Sequence, residues 1–414
     1  MASFNLEKAT SPKFGIQYLY VLLMISFTFQ ISYSIPLLGK NYIFWLVGFG
    51  FAIYYSAKYL TRQVSLCAIF YLFVMWVNFF MGDSYFGGFR KCMNETVALI
   101  VPITMLYYLI TRNDKRLFHW ILIVFSLFLI ESTIVSFMAD AAFPNIMRLQ
   151  SNAESAEENA FILDSFRRLG LASYSLPHAI PIIIPALVYM AKKTAKMHRW
   201  LAIVLLLAIM VMIYISGSFT ALFLGAIVLV FSIIVNSQNV GTIKKTLVIL
   251  LILLSPLLFS QNLQVSILEY LQNIFPDDSL VTKKLVDIEN TLIYGESEGL
   301  VEGRSDLYRM TFNAILSNPL WGTSGEIGEH MALFDRWATL GLIGFIPLLF
   351  FIYYQAKYAL TFISDEKRFY YFMGLLVFIV MISMKGSFSW ELWFCFIVML
   401  PGLLWWTDSI VNHK

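Results

Sequence analysis

Stretches of about twenty apolar residues recur almost from end to end of this chain, and each could cross the roughly 30 Å hydrocarbon layer of a bilayer as one helix. Twelve such runs centre near residues 16–37, 42–57, 64–82, 96–111, 117–138, 178–191, 200–215, 219–235, 246–260, 338–357, 369–384 and 389–406. The first follows MASFNLEKATSPKFG, has no cleavage site after it, and reads as a retained span. Composition agrees. Of 414 residues, 59% are hydrophobic and 13% charged, against roughly 25% charged in an ordinary soluble domain. A mean hydropathy of +0.72 is more than a water-soluble core can hide, so the predicted class is an all-α polytopic membrane protein of about twelve spans.

The formal charge of +3, from 29 Lys and Arg against 26 Asp and Glu, is too balanced for a nucleic-acid partner. The placement of the cations carries more. With the N-terminus inside, 17 of the 29 fall on inside segments, and the short outside segments hold only Lys40, Arg90, Lys91 and Lys385. That bias follows the positive-inside rule and predicts cytoplasmic N- and C-termini. Cys67, Cys92 and Cys395 have no metal-ligand spacing and imply no disulfide framework.

On this topology residues 1–414 form a single membrane domain with two long extracytoplasmic loops, 139–176 and 261–339. The first nets −2 and the second −7. Any anion bound there must be held by a few arginines brought together locally. The second loop reads as a small helical domain. Residues 262–274 have apolar residues at helical spacing, Asp277 and Asp278 can cap a second helix over 279–293, and Asn318-Pro319 ends a third that begins near Arg304. In the first loop, Ser151 to Ala160 has no apolar pattern and reads as a mobile lid.

Three stretches of these loops carry chemistry and abut span ends: Arg167-Arg168 with LGLASYSLPHAIP, GRSDLYRMTFNAILSNPLWG around Arg304, and GEHMALFDRWATLGLIG around His330. Arginine pairs bidentately with phosphate oxygens and keeps its charge, so Arg167 and Arg168 from one loop with Arg304 and Arg309 from the other could clamp a diphosphate. The competing reading is that the arginines, Arg309 and Arg336 above all, pair with neighbouring carboxylates. His330 can take a proton near neutral pH, as a general base must, or can merely cap a helix end. Glu329 and Asp335 could orient it, and Asp335 could instead contact a sugar or hold the loop. Glu131 and Glu391 are intramembrane acids, which are functional candidates by default. Glu131 is expected to bond within the bundle near Ser132 and Thr133, while Glu391 is close enough to the outside to join a site. Asn94-Glu95-Thr96 has the form of an N-glycosylation acceptor.

The string HMALFDRWATLGLIG, from His330 to Gly344, resembles the signature H-N-S-F-L-D-x-x-x-x-x-G-L-I-G that precedes a late span in the O-antigen polymerase and ligase superfamily. GRSDLYRMTFNAILSNPLWGTSG resembles that family's arginine helix followed by Asn-Pro-(Leu)-x-Gly, and RRLGLASYSLPHAIP its Arg-x-x-Gly segment before a span. The chain departs from the pattern at Met331, where Asn is usual, and at Ser216-Gly217, where Ser-Arg is common. The Arg-x10-Gly repeats of some polymerases are absent.

The resemblance implies a GT-C-like membrane glycosyltransferase of the bacterial inner membrane. Its donor would be an undecaprenyl-diphosphate-linked oligosaccharide at the outer face, with no metal or nucleotide cofactor and with a flippase and a chain-length regulator as partners. Carried over by position, His330 is the base and Arg168 and Arg304 bind the donor diphosphate. Polymerisation of O-antigen or capsular repeat units is the favoured activity, and ligation to another acceptor is the alternative. A twelve-span flippase or transporter would instead show matching mid-membrane polar residues in two similar halves, and these halves differ: the first outer loop is about half as long as the second.

Overall fold

The computed structural model describes residues 61–81, 89–150, 157–235, 261–273, 280–294, 300–323, 330–384 and 388–411, with Gly50 and Ile327. Among these residues there is no strand, and seven helices are long and apolar enough to cross a membrane. The expected runs 16–37 and 246–260, and all of 42–57 but Gly50, lie outside the described residues, as do Asp277, Asp278 and residues 151–156 of the expected lid.

In chain order, α1 (Arg62–Phe80), α2 (Phe89–Arg112) and α3 (Lys115–Ala142) are followed by the short α4 (Ile146–Leu149) and α5 (Ala160–Arg168). The run expected at 178–191 is not one helix. It comprises α6 (Leu176–Ala179), a 3-10 turn (Ile180–Ile183) and α7 (Ile184–Lys193). Pro177, Pro181 and Pro185 recur every four residues, and each removes an N–H from the helical ladder. Every residue from Leu176 to Met190 is buried, as befits a segment that is apolar all round and sits at the centre of the bundle. Then come α8 (Lys196–Ile215) and α9 (Phe219–Ile234), separated by a turn at Gly217 with φ +59°.

The second long loop contains α10 (Gln261–Gln272), α11 (Leu280–Tyr294) and α12 (Leu300–Ser317). The first two pack together, with Gln272 Nε2 donating to Glu289 Oε2 at 2.5 Å, and α12 packs on both α11 and the next helix. That helix is α13 (Ala332–Phe362), followed by α14 (Arg368–Met384), α15 (Trp390–Phe394), a π-helical turn (Cys395–Met399) and α16 (Leu400–Val411). The π turn lies where Pro401 offers no N–H to the Ile397 carbonyl.

α13 starts earlier than expected and is broken at Gly341, whose φ of 60° and ψ of −174° are non-helical. The break frees backbone groups, and the segment after α12 satisfies them. Thr323 N donates to Ala338 O at 2.8 Å, Leu342 N to Pro319 O at 2.9 Å, and Trp337 Nε1 to the same Pro319 carbonyl at 3.1 Å. The approach needs glycine on both sides. A Cβ at Gly322 (φ +81°) would stand 2.1 Å from Thr339 O, and one at Gly341 would stand 2.1 Å from Leu320 O. The Asn318–Gly322 and Gly341–Gly344 motifs are thus two halves of one interlock.

Side-chain contacts sort the helix ends into two groups. At one end Lys192 Nζ donates to the α9 carbonyls of Ser232 (2.8 Å) and Ile233 (2.7 Å). Nearby Lys367, fully buried, donates to Leu404 O at 2.5 Å and to Thr407 Oγ1 at 3.0 Å. Tyr107 on α2 stacks on Tyr358 of α13 at 3.9 Å. Arg62, Arg112, Lys115, Arg116, Lys192, Lys193, Lys196, Arg199, Lys357, Lys367 and Arg368 all belong to helix ends on this side. It is the basic end. The opposite end carries α10–α12 and the polar clusters described next.

Candidate functional site

α15, with Phe388 and Ser389 just before it, lies at the middle of the polar end. α15 packs against α2 on one side and α6 on the other, and each contact brings a buried polar group with it.

On the α2 side, Arg336 of α13 grips Glu95 with two donors, Nε to Oε1 at 3.0 Å and Nη2 to Oε2 at 2.5 Å. The side chains are only 5% and 6% exposed. Tyr71 of α1 donates a further hydrogen bond to Glu95 Oε1, and the guanidinium lies 5.4 Å from the Phe388 ring centroid. Burying two charges is costly unless the geometry is bidentate and further hydrogen bonds support it, and here the pair is bidentate with the Tyr71 hydroxyl adding a third bond. Beside the pair, Trp76 Nε1 donates to Thr96 Oγ1 at 3.1 Å.

Asp335, next to Arg336 and fully buried, accepts from Met331 N at 2.9 Å and from Thr311 Oγ1 at 2.8 Å. It closes the first turn of α13 and fastens α12 to it, so its place is holding the loop. The N-terminal part of α13 is therefore tied to the loop helices by Asp335 and to the bundle by Arg336.

On the α6 side, Ser173 Oγ donates to Glu391 Oε1 at 2.6 Å. Glu391 is 3% exposed and sits in the first turn of α15, where the helix dipole favours an acid. Ser389 caps the same helix, accepting from Leu392 N at 3.2 Å. His178 lies with Nδ1 3.0 Å from Tyr174 O and Nε2 2.9 Å from Ser218 Oγ. A carbonyl only accepts, so in the neutral ring Nδ1 carries the proton and Nε2 accepts from the serine. That bond joins α6 to the turn between α8 and α9.

The residues singled out from the sequence lie in different places. Asp335 and Arg336 are buried in the network above. His330 is exposed, at the bend just before α13. Arg167 and Arg168 end α5: Arg167 Nη2 reaches Gln150 Oε1 at 3.4 Å, and Arg168 pairs with Asp164 at 2.9 Å, with 73% and 56% of the two side chains exposed. Arg304 and Arg309 stand on α12, where Arg309 is exposed. Only the backbone of Arg304 is described, and Glu329 lies outside the described residues.

Glu131 departs from expectation. It lies on the exposed face of α3, with its carboxylate against Gly170, where a Cβ would be 3.4 Å from Oε1. Thr133 hydrogen-bonds to the Leu129 carbonyl at 2.6 Å instead, because a threonine hydroxyl in a helix reaches the carbonyl one turn back.

Glu95, His178, Ser173 and Ser218 were not singled out by sequence. The signal for Glu95 is an acid at the edge of the apolar run 96–111, and the sequence reading takes it only as part of the Asn94-Glu95-Thr96 acceptor pattern. Among the described residues, no group of three or more His, Cys, Asp and Glu side chains could hold a metal ion. A hollow of about 470 Å³ lined by Lys192, Lys193, Ile233 and Ile234 belongs to the basic end, away from these clusters. No protein-family model matches the chain, and comparison with curated proteins finds no similar sequence.

Proposed function

We propose that the chain is a membrane glycosyltransferase that polymerises undecaprenyl-diphosphate-linked oligosaccharide repeat units into O-antigen or capsular polysaccharide. The carrying observation is convergence. Two of the three sequence stretches that resemble the O-antigen polymerase and ligase superfamily reach one short segment, Arg336 touching Phe388 and Ser173 touching Glu391, and the third packs against the first of these, Asn318–Gly322 locking into Gly341. With the basic end in the cytoplasm, as the positive-inside rule requires, this polar end and its loop helices face outward, where a lipid-linked donor would present its headgroup.

In the proposed reaction the imidazole of His330 takes the proton of an acceptor sugar hydroxyl as its oxygen attacks the anomeric carbon of the donor. The bond from that carbon to the diphosphate oxygen breaks, and the electron pair leaves with undecaprenyl diphosphate. Arg167, Arg168, Arg304 and Arg309 bind that diphosphate and stabilise its growing charge. His330, Arg168 and Arg309 are at the surface, as substrate-binding groups must be, while Asp335 and Arg336 support the loop that carries His330 and Arg309.

The test is to incubate the purified protein with a lipid-diphosphate repeat unit alone. A ladder of products supports a polymerase. Transfer only to an added core acceptor would make the enzyme a ligase, and no transfer to either would overturn the reading.

A further inference from the structure

The basic end carries a feature that glycosyl transfer does not use. α3 and α8 both start there and pack side by side, and their first residues echo each other: Lys115, Arg116, His119 and Trp120 on one, Lys196, His198, Arg199 and Trp200 on the other. Neither first turn holds an acid. At α3 the buried N-cap Asp114, accepting from Leu117 N at 2.9 Å, supplies an acid at the helix start, but the N-cap of α8 is Ala195, so Lys196 and Arg199 oppose the helix dipole there with no acid at the cap or in the first turn.

Trp406 of α16 fills the space between the two starts. His119 stacks on it at 5.5 Å and His198 meets it edge-on at 5.3 Å. His198 Nδ1 is buried and has no hydrogen-bond partner among the described residues. Arg116 lies one turn before His119 on the same helix face, Lys196 and Arg199 flank His198, and all three cations are exposed. Large apolar side chains are exposed within a turn of these charges: Met197 at 72%, Trp200 at 58% and Trp120 at 39%. A soluble anion has no use for such neighbours, whereas a molecule with an anionic head and acyl chains matches both surfaces, and tryptophan is favoured at the level of lipid headgroups.

We infer that α3 and α8, against Trp406, form a headgroup site for an anionic phospholipid of the surrounding bilayer. The inference is independent of the glycosyltransferase reading. The purified full chain in detergent is titrated with phosphatidylglycerol or phosphatidylcholine, and bound lipid is counted by native mass spectrometry. Phosphatidylglycerol should bind at least tenfold more tightly than phosphatidylcholine. Arg116→Gln with Arg199→Gln should lose roughly thirtyfold, from about fivefold per cation near a membrane surface, and Arg116→Lys with Arg199→Lys should retain most of the binding. Arg62→Gln with Lys357→Gln, exposed at the same end near the Tyr107–Tyr358 stack, should leave it unchanged. Equal binding of the two lipids, no loss in the double glutamine variant, or an equal loss in the control pair would each overturn the site.

Discussion

Replacing Glu95 by alanine would strip the carboxylate from an Arg336 guanidinium whose side chain is only 5% exposed, and would also take the acceptor from the Tyr71 hydroxyl. Removing one partner of a buried, hydrogen-bonded ion pair costs about 3–5 kcal/mol, because the other charge stays behind in a low-dielectric site. The chain contains its own control in the Arg168–Asp164 pair, which has a similar separation of 2.9 Å but side chains 73% and 56% exposed. Such surface pairs contribute about 0–1 kcal/mol. Thermal unfolding of detergent-solubilised protein should therefore show Glu95→Ala lower in Tm by roughly 10 °C, at about 2–4 °C per kcal/mol for larger domains, with Asp164→Ala close to wild type. Changing both partners, Glu95→Leu with Arg336→Leu, should recover much of the loss, since no orphaned charge remains. The reasoning fails if Glu95→Ala and Asp164→Ala unfold together, or if the double variant is as unstable as Glu95→Ala.

Gly322→Ala and Gly341→Ala should each prevent accumulation of folded protein, because a Cβ at either position meets backbone 2.1 Å away; Gly225→Ala, whose nearest neighbour is the Ile213 side chain at 3.3 Å, should accumulate normally on a membrane-fraction blot. His330→Ala should abolish polysaccharide chain extension on a gel while the protein remains inserted, since His330 is exposed and outside the packed bundle; normal long chains would remove it from catalysis. Arg168→Ala and Arg304→Ala should weaken donor use in the purified reaction more than Lys283→Ala, and Arg304→Lys should also be harmful because a point charge cannot replace the planar fork. Equal effects at all these positions would argue against a localised diphosphate clamp.

Where the long apolar helices among the described residues lie was legible in the sequence, because the length of an apolar run is a local property and the bilayer thickness sets it. The starts and stops of α1, α8, α9 and α14 follow the hydropathy pattern within a few residues, and the amphipathic spacing of α10 and α11 was equally readable. The break in α6–α7 was written there too, in three prolines four residues apart, though the apolar run masked it. Function-bearing positions were legible unevenly. Composition could mark Glu391 as an acid near a span end, but only the fold supplied Ser173 as its partner, 218 positions away.

Glu95 looked like the middle of a surface acceptor triplet because nothing near it in sequence announces Arg336, 241 positions on. The kink at Gly341 looked like an ordinary span start until Leu320 came within reach of it. In each case the deciding quantity is the desolvation of a charge or of a backbone group. Neighbouring residues cannot reveal that cost, because it depends on which distant segment closes over them.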